Sequence, residues 1–399
     1  MPETSMATRY EIIQRTAEKY QKASKKKKGS ILDMVCESTG LSRDRAARLM
    51  AAGGYQKTRI RSAKPIRLET RGRKQKYGTD VVAALITLWE LAGCPCGKKL
   101  AAAIPELIDA LVRHNELDWT PELQQLLREV SPATIDRLLE REKKKYGFKG
   151  RSTTKAGKLL KKDIPIRTGT GWDDAKPGYV EIDLVAHCGD TTAGQYVNTL
   201  NFTDISTGWT ETRAVRTKAQ KFVFAAIRFI RRLLPFDLLG IDSDNGSEFI
   251  NDELYRYCIA EEIALTRSRA YHKNDGCYVE QKNGAIVRNH IGYNRYEGQE
   301  AVDLMNEYYA QLRLLTNYFL PQTKLISKEP VDGKTKKRYD KYVTPYNRVL
   351  ASPDVPDERK EYIREVYETL NPAALVREMS QILKKLQAIA LPYSSKHSS

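Results

Sequence analysis

Apolar residues recur at helical spacing along two stretches of the first 150 residues. In residues 31–53, one apolar stretch ends at Gly40 and another follows Ser42. This predicts two helices, because Gly commonly ends a helix and Ser caps the start of the next. Helix, short turn and helix form the pattern of a helix-turn-helix unit, although a plain helical hairpin has the same pattern. The exposed face of the second helix then carries three cations that would reach bases or phosphates: Arg43, Arg45 and Arg48.

The second stretch, residues 79–147, alternates apolar helical segments with short polar turns. Leu85 and Trp89 lie on one side of a helix. Ser131 before Pro132 marks a helix start, since Ser is a good N-cap and Pro fits the first helical position. We therefore predict a second helical domain, for which a further helix-turn-helix unit is one interpretation.

Two basic segments with little apolar periodicity, residues 57–78 and 148–174, are predicted to be linkers. Within the first, Arg71, Arg73 and Lys74 belong to a flexible basic arm of the kind that enters a minor groove. A charged tether without such a contact is the alternative.

After residue 174 the pattern changes to short β-branched and apolar runs between turns that contain Thr and Gly. The segments YVEIDLVAH, QYVNTLNFTDIST and WTETRAVR predict three strands of an antiparallel meander. An amphipathic helix, a short buried strand, a helix and another strand follow, and then two helices. The order βββ-α-β-α-β-α-α predicts a layered α/β domain.

The tail from about Lys324 is basic with interleaved Tyr, and it ends in two segments of helical periodicity. Lys336, Lys337 and Arg338 form a predicted phosphate-binding patch, with a solvated charge run as the alternative. The predicted fold class is therefore multidomain, with an all-α helix-turn-helix N-terminal region, an α/β core and a small basic C-terminal region with helices. The predicted segments are 1–56 (first helix-turn-helix unit), 57–78 (linker), 79–147 (second helical domain), 148–174 (linker), 175–325 (α/β core) and 326–399 (C-terminal region).

Composition and charge narrow the class of function. Among 399 residues, 67 are Lys or Arg and 50 are Asp or Glu, which gives a formal charge of +17 and a pI of about 9.4. Such a protein most often binds nucleic acid; a Lys-rich surface that only aids solubility is the alternative. No run of 18 apolar residues and no apolar signal-peptide core occur, so we expect no membrane span and a cytoplasmic location. Six scattered cysteines suit a reducing compartment and lack zinc-ligand spacing.

Three acids lie at positions in the sequence where α/β folds commonly have ligand or metal sites. Asp183 lies inside the apolar segment EIDLVAH, Asp244 follows a short buried strand, and Glu280 begins a helix after a polar loop. An acid inside an apolar strand is costly unless it is paired, hydrogen-bonded or bound to metal, and strand ends gather ligand sites. Oxygen ligands without Cys or His select Mg²⁺ or Mn²⁺. A pair of such ions stabilises the attacking and leaving oxygens of a phosphoryl displacement.

The pattern of acids alone leaves other interpretations open. A single Asp in a strand is usually a cap or a satisfied polar group, and Asp242 competes with Asp244. Further acids lie nearby in the sequence: Glu181, Asp190, Asp204 and Glu248.

The segment DSDNGSEF, residues 242–249, resembles the second-acid motif of retroviral integrases and bacterial insertion-sequence transposases. YHKNDGCYVEQKNGAIVRNHIGYNR, from Tyr271, resembles one group of those transposases, as do STGWTE, NYFLP and TPYNRVL elsewhere in the chain. The likeness covers about residues 175–350 and extends weakly into the helical N-terminal part. Gly284 departs from it, since a bulky aromatic residue is expected at that position.

This resemblance implies an RNase H-like core, with which the predicted order of elements agrees, and a DDE-type active site. The acid directly before Asn-Gly-Ser is the family's second ligand, so the implied catalytic and metal-binding triad is Asp183, Asp244 and Glu280. Between the last two lie 35 residues (280 − 244 − 1), the family's usual gap. The triad would hold two Mg²⁺ or Mn²⁺ ions, and no small-molecule cofactor is expected. The implied reaction is hydrolysis at a transposon end, followed by attack of the freed 3′-hydroxyl on a target phosphodiester.

Residues around the third acid are candidates for DNA contact. Asn283 is three residues after Glu280 and shares its helix face. Lys282 and Arg288 would meet phosphates. Two more candidates would approach the scissile phosphate, His272 and Lys273, with an ordinary loop role as the alternative for His272.

The leading hypothesis is therefore an active bacterial DDE transposase that binds double-stranded DNA at transposon ends and target. We expect a homo-oligomer on DNA, because two ends must be paired, and a location near the nucleoid. Two alternatives stay open. One is a DNA-binding regulator that kept the fold and lost activity, which Gly284 favours, and the other is an RNase H-type nuclease or Holliday-junction resolvase.

Overall fold

The computed structural model describes residues 6–54, 76–144, 176–243, 246, 248–249, 251–267, 279, 282–331 and 334–391. For residues 6–10, 328–331 and 334–337 it describes the backbone alone. The chain divides into two compact units, Met1–Lys74 and Gln75–Ser399. None of the helices in the described ranges is both long and apolar enough to cross a membrane.

The first unit contains three helices, α1 (Met6–Lys22), α2 (Lys25–Thr39) and α3 (Arg43–Ala51). α2 ends at Gly40, whose left-handed backbone (φ 68°) lets its N–H donate to the carbonyl of Cys36, 2.8 Å away. The unit has a small core of its own, formed by Ile13, Ala17, Leu32, Val35, Ala46 and Met50. The two helices predicted around Gly40 are confirmed, whereas DNA recognition by α3 stays a prediction.

The second unit begins with five helices. They are α4 (Thr79–Leu91), α5 (Gly97–Arg113), α6 (Pro121–Glu129), α7 (Pro132–Leu138) and α8 (Glu140–Lys143). The helix start predicted at Ser131 is confirmed, because its Oγ accepts the backbone N–H of Thr134 at 3.3 Å and Pro132 occupies the first helical position. This cap satisfies one of the unpaired N–H groups at the start of the helix.

A five-stranded mixed sheet with the order β3-β2-β1-β4-β5 forms the centre of the second unit. The strands are β1 (Tyr179–Ala186), β2 (Asn198–Asp204), β3 (Thr210–Val215), β4 (Gly240–Ser243) and β5 (Ala264–Arg267). The first three pair antiparallel, as the sequence predicts. β4 and β5 add in parallel after the crossover helices α9 (Gln220–Arg231) and α10 (Asp252–Ala260). This mixed sheet with its crossover helices confirms the predicted layered α/β domain.

The remaining elements follow the sheet along the chain. They are a π-helix (Asn283–Arg288), α11 (Asn289–Ile291), α12 (Gly298–Phe319), β6 (Leu325–Val331), β7 (Lys334–Tyr339), α13 (Pro345–Ala351), α14 (Asp357–Thr369) and α15 (Pro372–Ala388). The two terminal helices are predicted correctly from periodicity. The β6–β7 hairpin is not predicted, because its strands are basic and polar.

One hydrophobic core joins the helices, the sheet and the tail of the second unit. α12 packs against β3 on one side and against α5, α13 and α15 on others. Polar contacts reinforce this packing: the carboxylate of Glu116 accepts two hydrogen bonds from Arg377, at 2.6 and 2.8 Å, and one from Asn371, at 2.7 Å. The regions 79–147 and 326–399 thus share a core with the sheet, and their predicted boundaries as functional domains stay predictions.

Candidate active site

Asp183 lies in the middle of β1, the central strand of the sheet. It pairs with Asn201 on β2, and residues aligned in this way point to the same face of a sheet. Glu181, two residues earlier on the same face, pairs with Asp242 on β4. The sheet therefore gathers three carboxylates and an amide on one face.

The carboxylate of Asp183 is half-buried and held by neighbouring groups. Its Oδ1 accepts the backbone N–H of Leu184 at 2.7 Å, and its Oδ2 accepts the side-chain amide of Asn283 at 2.6 Å. The Oδ1 of Asn283 in turn accepts the amide of Asn201 at 2.9 Å. Asn201 thus holds Asn283, and Asn283 holds Asp183. These two amides fix the orientation of the Asp183 carboxylate.

Glu181 and Asp242 are both 2% exposed. Glu181 Oε2 accepts the backbone N–H of Val279 at 3.0 Å, and Asp242 Oδ1 accepts the hydroxyl of Thr266 at 2.6 Å. A buried carboxylate needs such donors, since its desolvation is otherwise uncompensated. These contacts give both acids a structural role, tying β1 to the segment at Val279 and β4 to β5.

The other two predicted ligands, Asp244 and Glu280, lie outside the described residues. The same holds for His272 and Lys273, for Arg71, Arg73 and Lys74, and for the side chains of Lys336 and Lys337. Within the described ranges, no group of three His, Cys, Asp or Glu side chains is placed to hold a metal ion. The triad and these DNA contacts stay predictions.

Lys282 directly precedes the π-helix, and Arg288 is its last residue. Lys282 donates to the side-chain carbonyl of Gln322, and its pKa lies well below the ordinary value because of burial first, and then because of the charges of Lys99 and Arg348. Arg288 donates to the carbonyl of Ala186 at 2.8 Å, and burial lowers its pKa. Arg288 therefore holds the end of β1, and phosphate contact by either cation stays a prediction.

Gly284 lies exposed in the π-helix. A Cβ placed there would meet nothing within 4 Å. Gly in place of the expected aromatic residue thus leaves open space at this position, and it creates no strain in the backbone.

The three cations predicted for DNA contact on α3 are exposed. Arg43 pairs with Asp33, and the Nε of Arg48 donates to the carbonyl of Asp44 at 3.4 Å. Arg45 and, in the second unit, Arg338 are exposed as well. Exposure is compatible with phosphate contact.

Two residues of this region are missed by sequence reasoning. Asn201 lies in a strand of which every residue is buried, and its own Oδ1 is buried without a hydrogen-bond partner among the described residues. An Asn inside the segment NTLNFTD is a signal, since such a strand accepts an amide only where it has partners. Lys99 on α5 gives no comparable signal, because its proximity to Lys282 depends on the tertiary fold.

Comparison with known proteins gives one relative and a set of similar structures. No family model matches the chain. Uncharacterized protein y4rM of Sinorhizobium fredii is 40% identical over 349 residues, which cover 86% of this chain and 95% of that protein. The HTLV-2 integrase catalytic core domain in complex with magnesium is 18% identical in its dimeric form (TM-score 0.28) and its trimeric form (TM-score 0.27). Each covers 40% of this chain and 93% of its own.

Proposed function

The chain belongs to the same family as the y4rM protein of Sinorhizobium fredii, and we propose that it is a DDE-type DNA strand-transfer enzyme, the transposase of an insertion sequence. The observation that carries this proposal is the placement of Asp183. Its half-buried carboxylate stands on the central strand of a mixed sheet and is oriented by Asn283. Asn283 follows the proposed third acid, Glu280, by three residues.

Two anchors support the convergence of Asp183 with Asp244 and Glu280. The pairing of β1 with β4 aligns Ile182 with Ser243, so the last described residue of β4 lies beside the residue that precedes Asp183. The bond from Val279 to Glu181 holds the chain directly before position 280 against β1. Asp242 is engaged with Thr266, which favours Asp244 as the second ligand.

The donor set fits a hard divalent cation. Asp183 offers a carboxylate, and the buried Oδ1 of Asn201 beside it has no hydrogen-bond partner among the described residues. Oxygen donors without Cys or His suit Mg²⁺ or Mn²⁺. Asp183, Asp244 and Glu280 would hold the ions, which supply Lewis acidity and an activated water when bound.

The protein's own contribution is orientation and DNA placement. Asn201 fixes Asn283, and Asn283 fixes Asp183, so the carboxylate is aimed before DNA arrives. Exposed cations of both units, Arg43, Arg45, Arg48 and Arg338, would contact phosphates of transposon ends and target. Two transposon ends must be paired, so the protein would form a homo-oligomer on DNA. This assembly would lie at the nucleoid.

A strand-joining assay tests this function. Purified protein with Mg²⁺ or Mn²⁺ receives the DNA that flanks its own gene and a supercoiled target plasmid. Asp183→Asn should abolish joined product while DNA binding persists. Asp303→Asn, an exposed acid on α12, is the matched control and should join like the parent protein. Joining retained by Asp183→Asn would refute the site.

The same experiment separates the alternatives. DNA binding without joining in either metal, together with no Mn²⁺ uptake in calorimetry, would favour a regulator that has lost activity. Cleavage of an RNA–DNA hybrid or a four-way junction in preference to the flanking ends would favour a nuclease or resolvase.

A further inference from the structure

A cavity of about 180 Å³ lies next to the Asp183 site. On β2 it begins at Thr203, two residues after Asn201 and therefore on the same face of the sheet, roughly 7 Å along the strand. Lys282 lines it, and the next residue, Asn283, holds Asp183. The cavity and the candidate active site are thus neighbours on one face.

Four cations line this cavity, one from α5, one from the start of the π-helix, and two from the chain around β6 and α13. They are Lys99, Lys282, Lys324 and Arg348. Among the described residues that line it, none is an Asp or a Glu. We call this cavity the cation pocket.

The positive charge of the cation pocket is only partly balanced by the described part of the chain. Arg348 pairs with Asp340 at 2.7 Å, the charge of Lys324 is attracted to Asp204, and Lys282 donates to the neutral Gln322. Lys99 makes no hydrogen bond or ion pair with the described residues, and burial lowers its pKa. Cations gathered in this way repel one another, so an anion between them would be stabilised.

The neutral part of the wall favours an oxyanion. Ser206, Thr323 and Tyr342 bring hydroxyl groups to the wall of the cavity. Hydroxyl and ammonium groups both donate to phosphate oxygens, and Lys is a compact point charge suited to phosphate. An apolar ligand would leave the ammonium group of Lys99 uncompensated.

We propose that the cation pocket binds a phosphate group of the DNA substrate, next to the phosphate that reacts at Asp183. This proposal rests on the proposed function. A DNA strand supplies successive phosphates. Lys282 lines the cation pocket, and the adjacent Asn283 contacts Asp183. Lys99, which comes from the helical region, would make that region part of the DNA-binding surface of the core.

Thermal unfolding with inorganic phosphate as the probe tests the pocket without any catalysis. Phosphate should raise the Tm of the parent protein above that in KCl of equal ionic strength. The rise should be lost in Lys99→Gln and in Lys99→Met, which keep most of the length of the side chain and remove its charge. Lys98→Gln, the exposed neighbour, is the matched control and should keep the rise. Equal protection of all variants, or none of the parent protein, would overturn the site.

The salt dependence of DNA binding identifies the source of the phosphate. The slope of log K against log salt should fall by about 0.9 in Lys99→Gln, the loss of one phosphate contact, and stay unchanged in Lys98→Gln. Phosphate protection with an unchanged slope would overturn the DNA assignment and leave a site for a small phosphate compound. The two proposals can fail separately. If Asp183→Asn has the same salt slope as the parent protein, and neither protein joins strands, the DNA-phosphate site is supported and the proposed strand-transfer activity is refuted.

Discussion

Glu181 and Asp183 lie two residues apart on the same face of β1, yet their surroundings differ. Glu181 is buried and accepts the backbone N–H of Val279, far along the chain, whereas Asp183 is half-buried and accepts the N–H of the next residue, Leu184, and the side-chain amide of Asn283. A carboxylate that satisfies a backbone donor in the interior is committed to the fold. A half-buried carboxylate that a side-chain amide orients is accessible from solvent. The two acids therefore differ in exposure and in what their contacts hold, which favours a structural role for Glu181 and is compatible with the proposed ligand role of Asp183.

Asp183→Asn should produce the largest effect. Strand joining should fall by about 10³-fold or more, the scale of losing a principal catalytic group. The free energy of unfolding should change by less than about 1 kcal/mol, because Asn keeps the size and the acceptor for Asn283. Joining assays beside urea unfolding measure both. A large loss of stability with residual joining would place Asp183 with the structural acids.

Glu181→Ala should act in the opposite way. The N–H of Val279 would lose its acceptor in the interior, which costs about 1–3 kcal/mol of stability. Urea unfolding followed by circular dichroism measures this loss. Glu181→Gln, which keeps an oxygen acceptor, should lose less. If Glu181→Ala had the same free energy of unfolding as the parent protein, Glu181 would have no structural role that distinguishes it from Asp183.

Asn283→Ala tests whether the orientation of Asp183 matters. The joining rate should fall about 10–100-fold, the usual effect of removing a group that orients a metal-binding ligand. DNA affinity should stay unchanged, since the cations proposed to contact phosphates remain. Asn283→Asp should fall further, because a second carboxylate beside Asp183 repels it. A weakened DNA affinity at an unchanged joining rate would show a DNA contact in place of an orienting role.

Glu106 on α5 extends the comparison to an acid far from β1 in the sequence. Asn347 donates to its Oε1, while its Oε2 is buried without a hydrogen-bond partner among the described residues. Burial raises the pKa of Glu106 to about 7, against the hydrogen bond from Asn347. The folded protein therefore keeps a proton that the unfolded chain, with a pKa near 4.5, releases.

The contribution of Glu106 to stability should thus decline as the pH rises from about 4.5 to about 7. The change should be on the order of 1 kcal/mol, given its partial exposure. Glu106→Gln should flatten this part of the pH profile in urea unfolding and be the more stable protein above pH 7. An unchanged profile would show that the carboxyl ionises in the fold without cost.

The sequence predicts what depends on local pattern. The strands β1 to β3 follow from their β-branched runs, the cap at Ser131 from its Ser-Pro pair, and the position of Asp183 within a strand from the apolar residues around it. Local pattern is a poor guide to β6 and β7, although an Asp-Gly pair between them is a hairpin signal. Their charged residues and Pro330 weaken the strand pattern.

Non-local contacts explain the rest of what the sequence does not predict. Asn201 and Asn283 are 82 residues apart, and no pattern around either indicates the other. Periodicity likewise shows that α4 and α5 have an apolar side without showing what covers it. The pattern therefore predicts a separate helical domain equally well. In the structure, α4 and α5 share a core with α12 and α15.

That shared core has a consequence for synthesis on the ribosome. Glu116 and Arg377, which bind one another across it, are 261 residues apart. At about 5–20 residues per second, α4 and α5 emerge roughly 10–50 s before α15 arrives to cover them. During this interval their apolar sides are available to chaperones or to other nascent chains. Messages truncated before residue 372 should accordingly yield protein that proteases remove.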